Sequence, residues 1–84
     1  MEYRLLVDIE AIEVLDRLPK GVRNRLLNQF HKIRSFPTNY SECHERDGVG
    51  RRIEICIVSS WAIHYWIDFG DGHVKVLALQ PADK

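Results

Sequence analysis

Three successive runs of alternating apolar and polar residues constrain the fold more than any other feature of this chain. They lie within residues 50–79, and two short turn-forming pairs, Ser59-Ser60 and Asp71-Gly72, separate them. Alternation places every second side chain on the same face of a β-sheet. The pattern therefore predicts three consecutive antiparallel strands, joined by two tight hairpin turns.

The second of these hairpins has a predicted register. A turn centred on Asp71 and Gly72 pairs four residues of one strand with four of the next: Trp66 with Leu77, His64 with Leu79, Ile67 with Val76, and Tyr65 with Ala78. In this register the tyrosine and Ile67 point into the core. Trp66 and the two leucines form an apolar patch on the other face, which is typical of an interface.

Polar and aromatic side chains are predicted to share the sheet face that does not form the core. In the first of the three strands, alternation separates Arg52 and Glu54 from three isoleucines that are expected to face the core: Ile53, Ile55 and Ile57. His64 and Trp66, on the next strand, are expected on the same face as Arg52. A guanidinium, a carboxylate, an imidazole and an indole on one surface favour phosphate binding, proton transfer and base stacking. This combination indicates RNA chemistry.

The first half of the chain predicts one strand and two helices. Residues 3–7 alternate as a short strand, and Asp8 is placed as the N-cap of a helix. Pro19 ends this helix, and Pro19, Lys20 and Gly21 are expected to form a tight break. A second helix follows, and Phe36-Pro37 ends it. Each helix has one apolar stripe, made by Ala11, Ile12, Leu15 and Leu18 on the first and by Val22, Leu26, Phe30 and Ile33 on the second. Residues 38–50 are polar and aperiodic, so a loop is expected there.

These elements give the order strand, helix, helix, strand, strand, strand. The expected fold class is α+β, a helical hairpin packed on one face of an antiparallel sheet, in a single domain covering residues 1–84. No apolar run approaches the roughly 20 residues that a membrane span needs, and no signal peptide is evident. With only two cysteines, the chain is expected to be a reduced, cytoplasmic protein without a membrane partner.

The charge is balanced overall but uneven along the chain. Lys and Arg together number 12, and Asp and Glu together number 12. Nucleic-acid-binding domains are often basic, so only local patches support RNA binding. Arg23 and Lys32 on the basic second helix are candidates for gripping RNA, or else they belong to an ordinary solvated helix face. Adjacent Cys43 and His44 in a loop do not make a convincing metal pair, so no metal and no cofactor is expected.

The chain resembles the RelE/ParE superfamily of bacterial toxins from toxin–antitoxin systems. The resemblance rests on the opening strand YRLLV, the helical segment EAIEVLDRLPKGVRNRLLNQFHKIRSFPT, the strand entry GRRIEI, the strand AIHYWID and the last strand VKVLAL. It implies a compact toxin that a cognate antitoxin holds inactive. For a RelE-like member, the resemblance implies metal-independent cleavage of mRNA in the ribosomal A site, by attack of a ribose 2′-hydroxyl on the next phosphate. ParE-like members imply inhibition of DNA gyrase without cleavage.

The resemblance matches Arg51 or Arg52 to the strand arginine that family nucleases aim at the scissile phosphate. By residue type, Glu54 and His64 are the proton-transfer candidates, so the expected catalytic set is Arg52, Glu54 and His64. The residues expected to bind RNA are Arg51, Trp66, Lys75, Arg23 and Lys32. Structural alternatives stay open: a surface ion pair for Arg52 with Glu54, a half-buried strand histidine for His64, and packing or an antitoxin contact for Trp66.

Two functions therefore remain open from the sequence. The first is a ribosome-dependent mRNA endonuclease that inhibits translation and arrests growth, with the ribosome, mRNA and a cognate antitoxin as partners. The second is a ParE-like inhibitor of DNA gyrase, or an antitoxin-binding module without catalytic activity. The resemblance implies another arginine near residues 61–65 and a Tyr or His just past the last strand in family nucleases. Here residues 61–65 contain no arginine, and residues 80–84 contain no Tyr or His. These two departures motivate the second function.

Overall fold

The predicted α+β architecture is confirmed, with one strand more than expected. The structure, a computed structural model, describes residues 3–82. The elements are β1 (Arg4–Val7), α1 (Ile9–Asp16), α2 (Lys20–Ser35), β2 (Cys43–Arg46), β3 (Arg52–Val58), β4 (Trp61–Asp68) and β5 (His73–Pro81). The additional strand is β2, which lies inside the segment expected to be a loop. Its four residues are exposed and all but Cys43 are polar, so the segment has no alternating apolar pattern that would indicate a strand.

The sheet is mixed, with the strand order β1-β5-β4-β3-β2. Strands β3, β4 and β5 pair antiparallel, as predicted, and the unexpected β2 pairs antiparallel with β3. The prediction of a wholly antiparallel sheet is wrong at β1, which pairs parallel with β5. Alternation identifies a strand but carries no information about its direction, so this parallel edge could not be read from the apolar pattern. The two outer strands are therefore β1, near the start of the chain, and the unexpected β2.

The two predicted helices form, but α1 ends at Asp16, before Leu18 and Pro19, and α2 begins at Lys20, inside the predicted break. Asp8 has the extended backbone of an N-cap before α1, although its side chain makes no capping hydrogen bond. Pro19 precedes the first residue of α2, and Phe36, which is followed by Pro37, leaves the helical conformation at its end. The apolar stripe of α2 is buried at Leu26, Phe30 and Ile33, and that of α1 is buried at Ala11 and Leu15.

One face of the sheet packs against both helices, and we call it the helix face. Its central residue is Tyr65, which is fully buried and whose hydroxyl donates a hydrogen bond to the Pro37 carbonyl oxygen at 2.7 Å. The core is completed by residues of α1, α2, β3, β4 and β5. Burial first, and then the neighbouring Cys56 and Glu54, raise the pKa of Tyr65. The prediction that Tyr65 points into the core is confirmed.

The expected orientation of β3 is wrong. Cross-strand partners share a face, and Glu54 pairs with Tyr65 while Cys56 pairs with Ile63. Arg52 and Glu54 therefore lie on the helix face, and the alternating isoleucines lie on the opposite, open face. The isoleucine side of β3 is the more apolar, so hydrophobicity alone assigns it to the core. The core instead uses Cys56, and Glu54 lies where polar groups can satisfy its carboxylate.

The predicted register of the β4–β5 hairpin is also wrong. Asp68 pairs with His73 across a four-residue loop, so Trp66 lies opposite Lys75. A β-bulge then shifts the pairing between Tyr65 and His64, and His64 lies opposite Ala78. The shift turns Leu79 into the core, where it is 5% exposed. The predicted apolar patch of Trp66 with Leu77 and Leu79 is therefore not formed.

The turn between β3 and β4 forms at Ser59 and Ser60, as predicted, but at a conformational cost. Both residues have positive φ, at 52° and 66°. Two-residue hairpins of this kind favour Asn-Gly, because residues with a Cβ lose about 1–2 kcal/mol in the left-handed region.

Replacing Ser59-Ser60 with Asn-Gly is expected to stabilise the protein by about 1 kcal/mol, because it removes most of that strain. Urea denaturation at neutral pH measures the change. Asn28→Gly, in the middle of α2, is the matched control and should destabilise the protein because glycine is a poor helix former. Equal destabilisation by both changes would contradict the turn geometry.

Candidate active site on the helix face

A cavity of about 430 Å³ lies at the β2–β3 edge of the helix face. The segment between α2 and β2 forms one side, β2 and β3 form the floor, and Phe69 from the β4–β5 loop closes the far side. Its lining residues are Thr38, Ser41, Glu42, Cys43, His44, Arg52, Glu54 and Phe69. Two residues of the expected catalytic set, Arg52 and Glu54, therefore lie in one cavity.

Glu54 is held in place at the wall of this cavity. Its side chain is 9% exposed, and its two oxygens accept different hydrogen bonds. Ser41 Oγ donates to Oε1 at 2.6 Å, and Arg52 Nε donates to Oε2 at 2.7 Å. A carboxylate this deeply placed is costly without charge-assisted partners, and Arg52 provides one. The pair is therefore an anchored ion pair at the cavity wall.

Arg52 presents the rest of its guanidinium to the cavity. Its side chain is 55% exposed, and Nε is the atom that binds Glu54. Among residues 3–82, no further hydrogen-bond partner of Arg52 is found. Fixing Nε orients the planar guanidinium, so its two terminal nitrogens can bind a phosphate through two parallel hydrogen bonds.

His44 lines the same cavity, although no catalytic role for it is predicted from the sequence. It pairs directly with Glu54 in the β2–β3 ladder, so the imidazole and the carboxylate share the helix face. It is exposed, as are the other residues of β2. Recognising β2 as a strand would have identified this position, but its polar sequence hides the strand.

His64 lies on the open face, away from Arg52 and Glu54. It pairs with Ile55 of β3, and its Nδ1 is 3.9 Å from Glu45 Oε2. Its side chain is 15% exposed. The expectation that His64 shares a surface with Arg52 and Glu54 is therefore wrong, because β3 has the opposite orientation to the predicted one. The sheet itself separates His64 from the cavity.

Three of the predicted RNA-binding residues do come together, on the open face. The Arg51 guanidinium carbon is 5.1 Å from the Trp66 ring centroid, and Lys75 lies opposite Trp66 on β5. Asp47 holds Arg51 from the preceding turn: its Oδ2 accepts from Arg51 Nε at 2.7 Å, and its Oδ1 accepts from the backbone nitrogen of Arg51. The open face thus presents two cations beside an indole, which suits an anionic chain with exposed bases.

The Asp47 carboxyl has a perturbed pKa. Desolvation raises it, but hydrogen bonds from the Arg51 side chain and from the backbone of Arg51 and Val49 outweigh that effect, so the pKa lies below 3.8. Because the folded-state pKa is depressed, the ionised form stabilises the fold above the unfolded-state pKa, and this contribution is lost as the pH falls through the folded-state value.

Asp47→Asn is expected to destabilise the protein at pH 7, because asparagine can keep the turn hydrogen bonds but not the ion pair with Arg51. The difference in urea midpoint between the two proteins should narrow as the pH falls below 3.8. Asp16→Asn, at the end of α1, is a control without such contacts to Arg51. A difference that stays constant between pH 7 and acid would contradict this assignment.

The two predicted RNA-binding residues of α2 do not join either surface. Arg23 is half-buried and its Nη1 donates to the Leu18 carbonyl oxygen at 3.4 Å. Lys32 is exposed and lies nine residues further along the helix, so it projects from the opposite side of α2. The basic residues of α2 therefore do not form one continuous face.

Asp68, Asp71 and His73 bring potential metal-ligand atoms within 4.8 Å of one another at the β4–β5 loop. Asp68 Oδ1 accepts a hydrogen bond from the Asp71 backbone nitrogen, so it stabilises the turn. The Arg4 guanidinium contacts His73 Nε2. A guanidinium beside the imidazole opposes cation binding at this group.

Solved structures similar in fold to this chain come from RelE–RelB complexes and from RelE itself. The archaeal RelE–RelB complex from Pyrococcus horikoshii OT3 contains a chain that matches with a TM-score of 0.84 at 18% identity, covering 100% of this chain and 99% of that chain. A RelBE toxin–antitoxin complex from Mycobacterium tuberculosis matches with a TM-score of 0.82 at 18% identity, with coverages of 99% and 95%. A mutant of the E. coli toxin RelE in the free state matches with a TM-score of 0.74 at 18% identity, with coverages of 99% and 86%.

The chain therefore has a RelE-like toxin fold, and the expected resemblance is confirmed at the level of the fold. No protein-family model matches the chain, and no curated protein sequence matches it significantly. In the part of the chain that the structure describes, neither helix is long and apolar enough to cross a membrane.

Proposed function

We propose that the protein is the toxin of a type II toxin–antitoxin system and that it cuts mRNA on the ribosome. The observation that carries this proposal is the likeness to RelE over the full length of both chains, with every strand and helix of the fold included. The similar chains were solved with RelB, in toxin–antitoxin complexes, or as a free toxin. A cognate antitoxin is accordingly the first proposed partner.

The cavity supports an RNA-cleaving chemistry that needs no metal. Attack of a ribose 2′-hydroxyl on the adjacent phosphate builds up negative charge on the phosphoryl oxygens, and an oriented guanidinium stabilises that charge. Arg52 has that orientation because Nε is fixed by Glu54. In this proposal Arg52 holds the scissile phosphate and Glu54 positions Arg52. The proton-transfer roles predicted for Glu54 and His64 stay predictions.

The open face supports binding of the flanking RNA. Arg51, Trp66 and Lys75 lie next to one another there, and the pairing of a cation with an indole suits stacking on a base beside a phosphate. The chain has zero formal net charge, so this local patch has to supply the attraction that a basic protein obtains from its whole surface. Ribosomal RNA and mRNA are the proposed partners of this patch.

Induced expression in bacterial cells, followed by sequencing of mRNA 5′ ends, tests the proposal. We expect growth arrest and new 5′ ends inside translated codons, and we expect the new ends to disappear when translation initiation is blocked first. Co-expression of the cognate antitoxin should suppress both effects. Growth arrest with DNA damage signalling and without new mRNA ends would contradict cleavage and would favour gyrase inhibition instead.

A further inference from the structure

We propose that His44 is the catalytic base of the candidate cavity, the group that removes the proton from the attacking 2′-hydroxyl. This inference rests on the proposed endonuclease function and assigns a residue that the sequence pattern leaves without a role. The base of this reaction has to share a face with Arg52, be exposed to a substrate, and have a side chain suited to accepting a proton.

Glu54 does not meet these conditions. Its side chain is 9% exposed, and both of its oxygens accept short hydrogen bonds from Ser41 and Arg52. Taking a proton would weaken the charge-assisted bond to Arg52 at the moment when the guanidinium must stay in place. Glu54 is therefore a positioning residue for Arg52.

The remaining titratable residues at the cavity are placed for other tasks. Glu42 Oε2 accepts a hydrogen bond from the Ile57 backbone nitrogen at 3.2 Å. This bond holds the Glu42 carboxylate at a part of β3 that is five residues from Arg52 in the sequence. Cys43 pairs with Ile55, whose side chain lies on the open face, so the thiol is directed away from Arg52. His64 also lies on the open face, across the sheet from the cavity.

His44 meets all three conditions. It lines the cavity together with Arg52, it is exposed, and it lies directly across from Glu54 in the β2–β3 ladder. Directly opposed residues on antiparallel strands have Cβ atoms about 4.5–5.5 Å apart. The imidazole is consequently close to the ion pair that fixes Arg52. Among side chains, imidazole has the ordinary pKa best suited to proton transfer near neutral pH.

The reaction step is an intramolecular transfer of the phosphoryl group. Neutral His44 accepts the 2′-hydroxyl proton while the 2′ oxygen attacks phosphorus. The bond from phosphorus to the 2′ oxygen forms, and the bond from phosphorus to the 5′ oxygen of the next nucleotide breaks. Water supplies the proton that the 5′ oxygen takes up. The products are a 2′,3′-cyclic phosphate and a 5′-hydroxyl end, and no oxidant, reductant or metal enters the balance.

The test measures single-turnover cleavage by the purified protein on ribosomes that carry an mRNA codon in an empty A site, from about pH 5.5 to pH 8.5. The wild-type rate should rise with pH through one inflection and then level off. His44→Gln should cut at least about 100-fold more slowly at pH 7.5, and the inflection should be absent, since general base catalysis contributes about 10²–10⁴-fold. Its co-sedimentation with ribosomes should be unchanged.

His31→Gln is the matched control, because His31 is exposed on α2 and does not line the cavity. It should keep both the rate and the inflection. Circular dichroism and urea midpoints check that each variant is folded. If the wild-type protein cuts and His44→Gln cuts equally well with the same inflection, the His44 assignment is wrong while the endonuclease stands. If His64→Gln loses the inflection instead, His64 is the base. If the folded wild-type protein cuts nothing, the proposed function fails, and this inference with it.

Discussion

Arg52→Ala is expected to reduce ribosome-dependent mRNA cleavage by at least about 100-fold, and to abolish growth arrest, because removing one charge-stabilising donor typically costs that factor. The guanidinium is the only cationic group that lines the cavity among residues 3–82 once His44 is neutral. Without it, Glu54 adds a negative charge beside the phosphate with nothing to offset it. The loss should therefore appear in the rate constant for cleavage more than in ribosome binding.

Two further variants separate charge from geometry at this position. Arg52→Lys keeps the positive charge but cannot hold Glu54 through Nε and bind phosphate bidentately at the same time, so an intermediate rate is expected. Arg17→Ala, at the exposed end of α1, is the matched control and should behave as the wild type. Retained cleavage in a folded Arg52→Ala protein would contradict the location of the site in the cavity.

Phe30→Ala is expected to lower the free energy of unfolding by about 3–5 kcal/mol, the usual cost of removing a large aromatic group from a packed core. Phe30 is 1% exposed and is among the largest buried side chains of the molecule. A domain of this size has a total stability of the order of 5–10 kcal/mol, so the variant should lose a large part of it.

Urea denaturation followed by tryptophan fluorescence measures this loss, because Trp61 and Trp66 both lie in β4. His31→Ala, the next residue along α2, is the control: His31 is exposed, and its replacement should change stability by less than about 0.5 kcal/mol. Equal effects of the two changes would contradict the packing of α2 on the sheet.

The elements that the sequence predicted well are those in which apolar spacing and helix-ending residues agree. Pro19 and Pro37 bound α2, and its buried residues recur at helical spacing between them. The strands β4 and β5 alternate clearly, and Tyr65 lies in the core as expected. In these segments local propensity and tertiary packing favour the same structure, so a pattern along one chain is sufficient.

The errors arise where the two faces of a strand compete for the core. Strand β3 has an isoleucine on every second position, but the core takes the side that holds Cys56 and leaves Glu54 at its margin. Hydrophobicity cannot predict which face of β3 joins the core, because the face is set by the pairing of Glu54 with Tyr65. The bulge in β5 is a second case. It brings Leu79 rather than Ala78 against Ile63, and simple alternation does not predict a bulge.

Only part of the candidate site can be predicted from the sequence, for a related reason. Arg52 and Glu54 are two residues apart on one strand, so their contact follows from alternation alone. Predicting the residue opposite Glu54 requires the neighbouring strand β2 and its register. Strand β2 has no apolar residue except Cys43, so its pattern does not predict the strand that places His44 beside Glu54. The sequence instead favours His64, which has an imidazole suited to proton transfer and lies on a strand with clear alternation.

Cleavage of mRNA on purified ribosomes is the decisive test of the proposed endonuclease function. Ribosomes with a defined codon in an empty A site are mixed with the purified protein, and primer extension maps the 5′ ends of the mRNA. We expect a cut within the A-site codon, a 5′-hydroxyl at the new end, no cut in mRNA without ribosomes, and no cut by Arg52→Ala. Intact mRNA after incubation with folded wild-type protein, at a concentration that saturates the ribosomes, would contradict the proposed function.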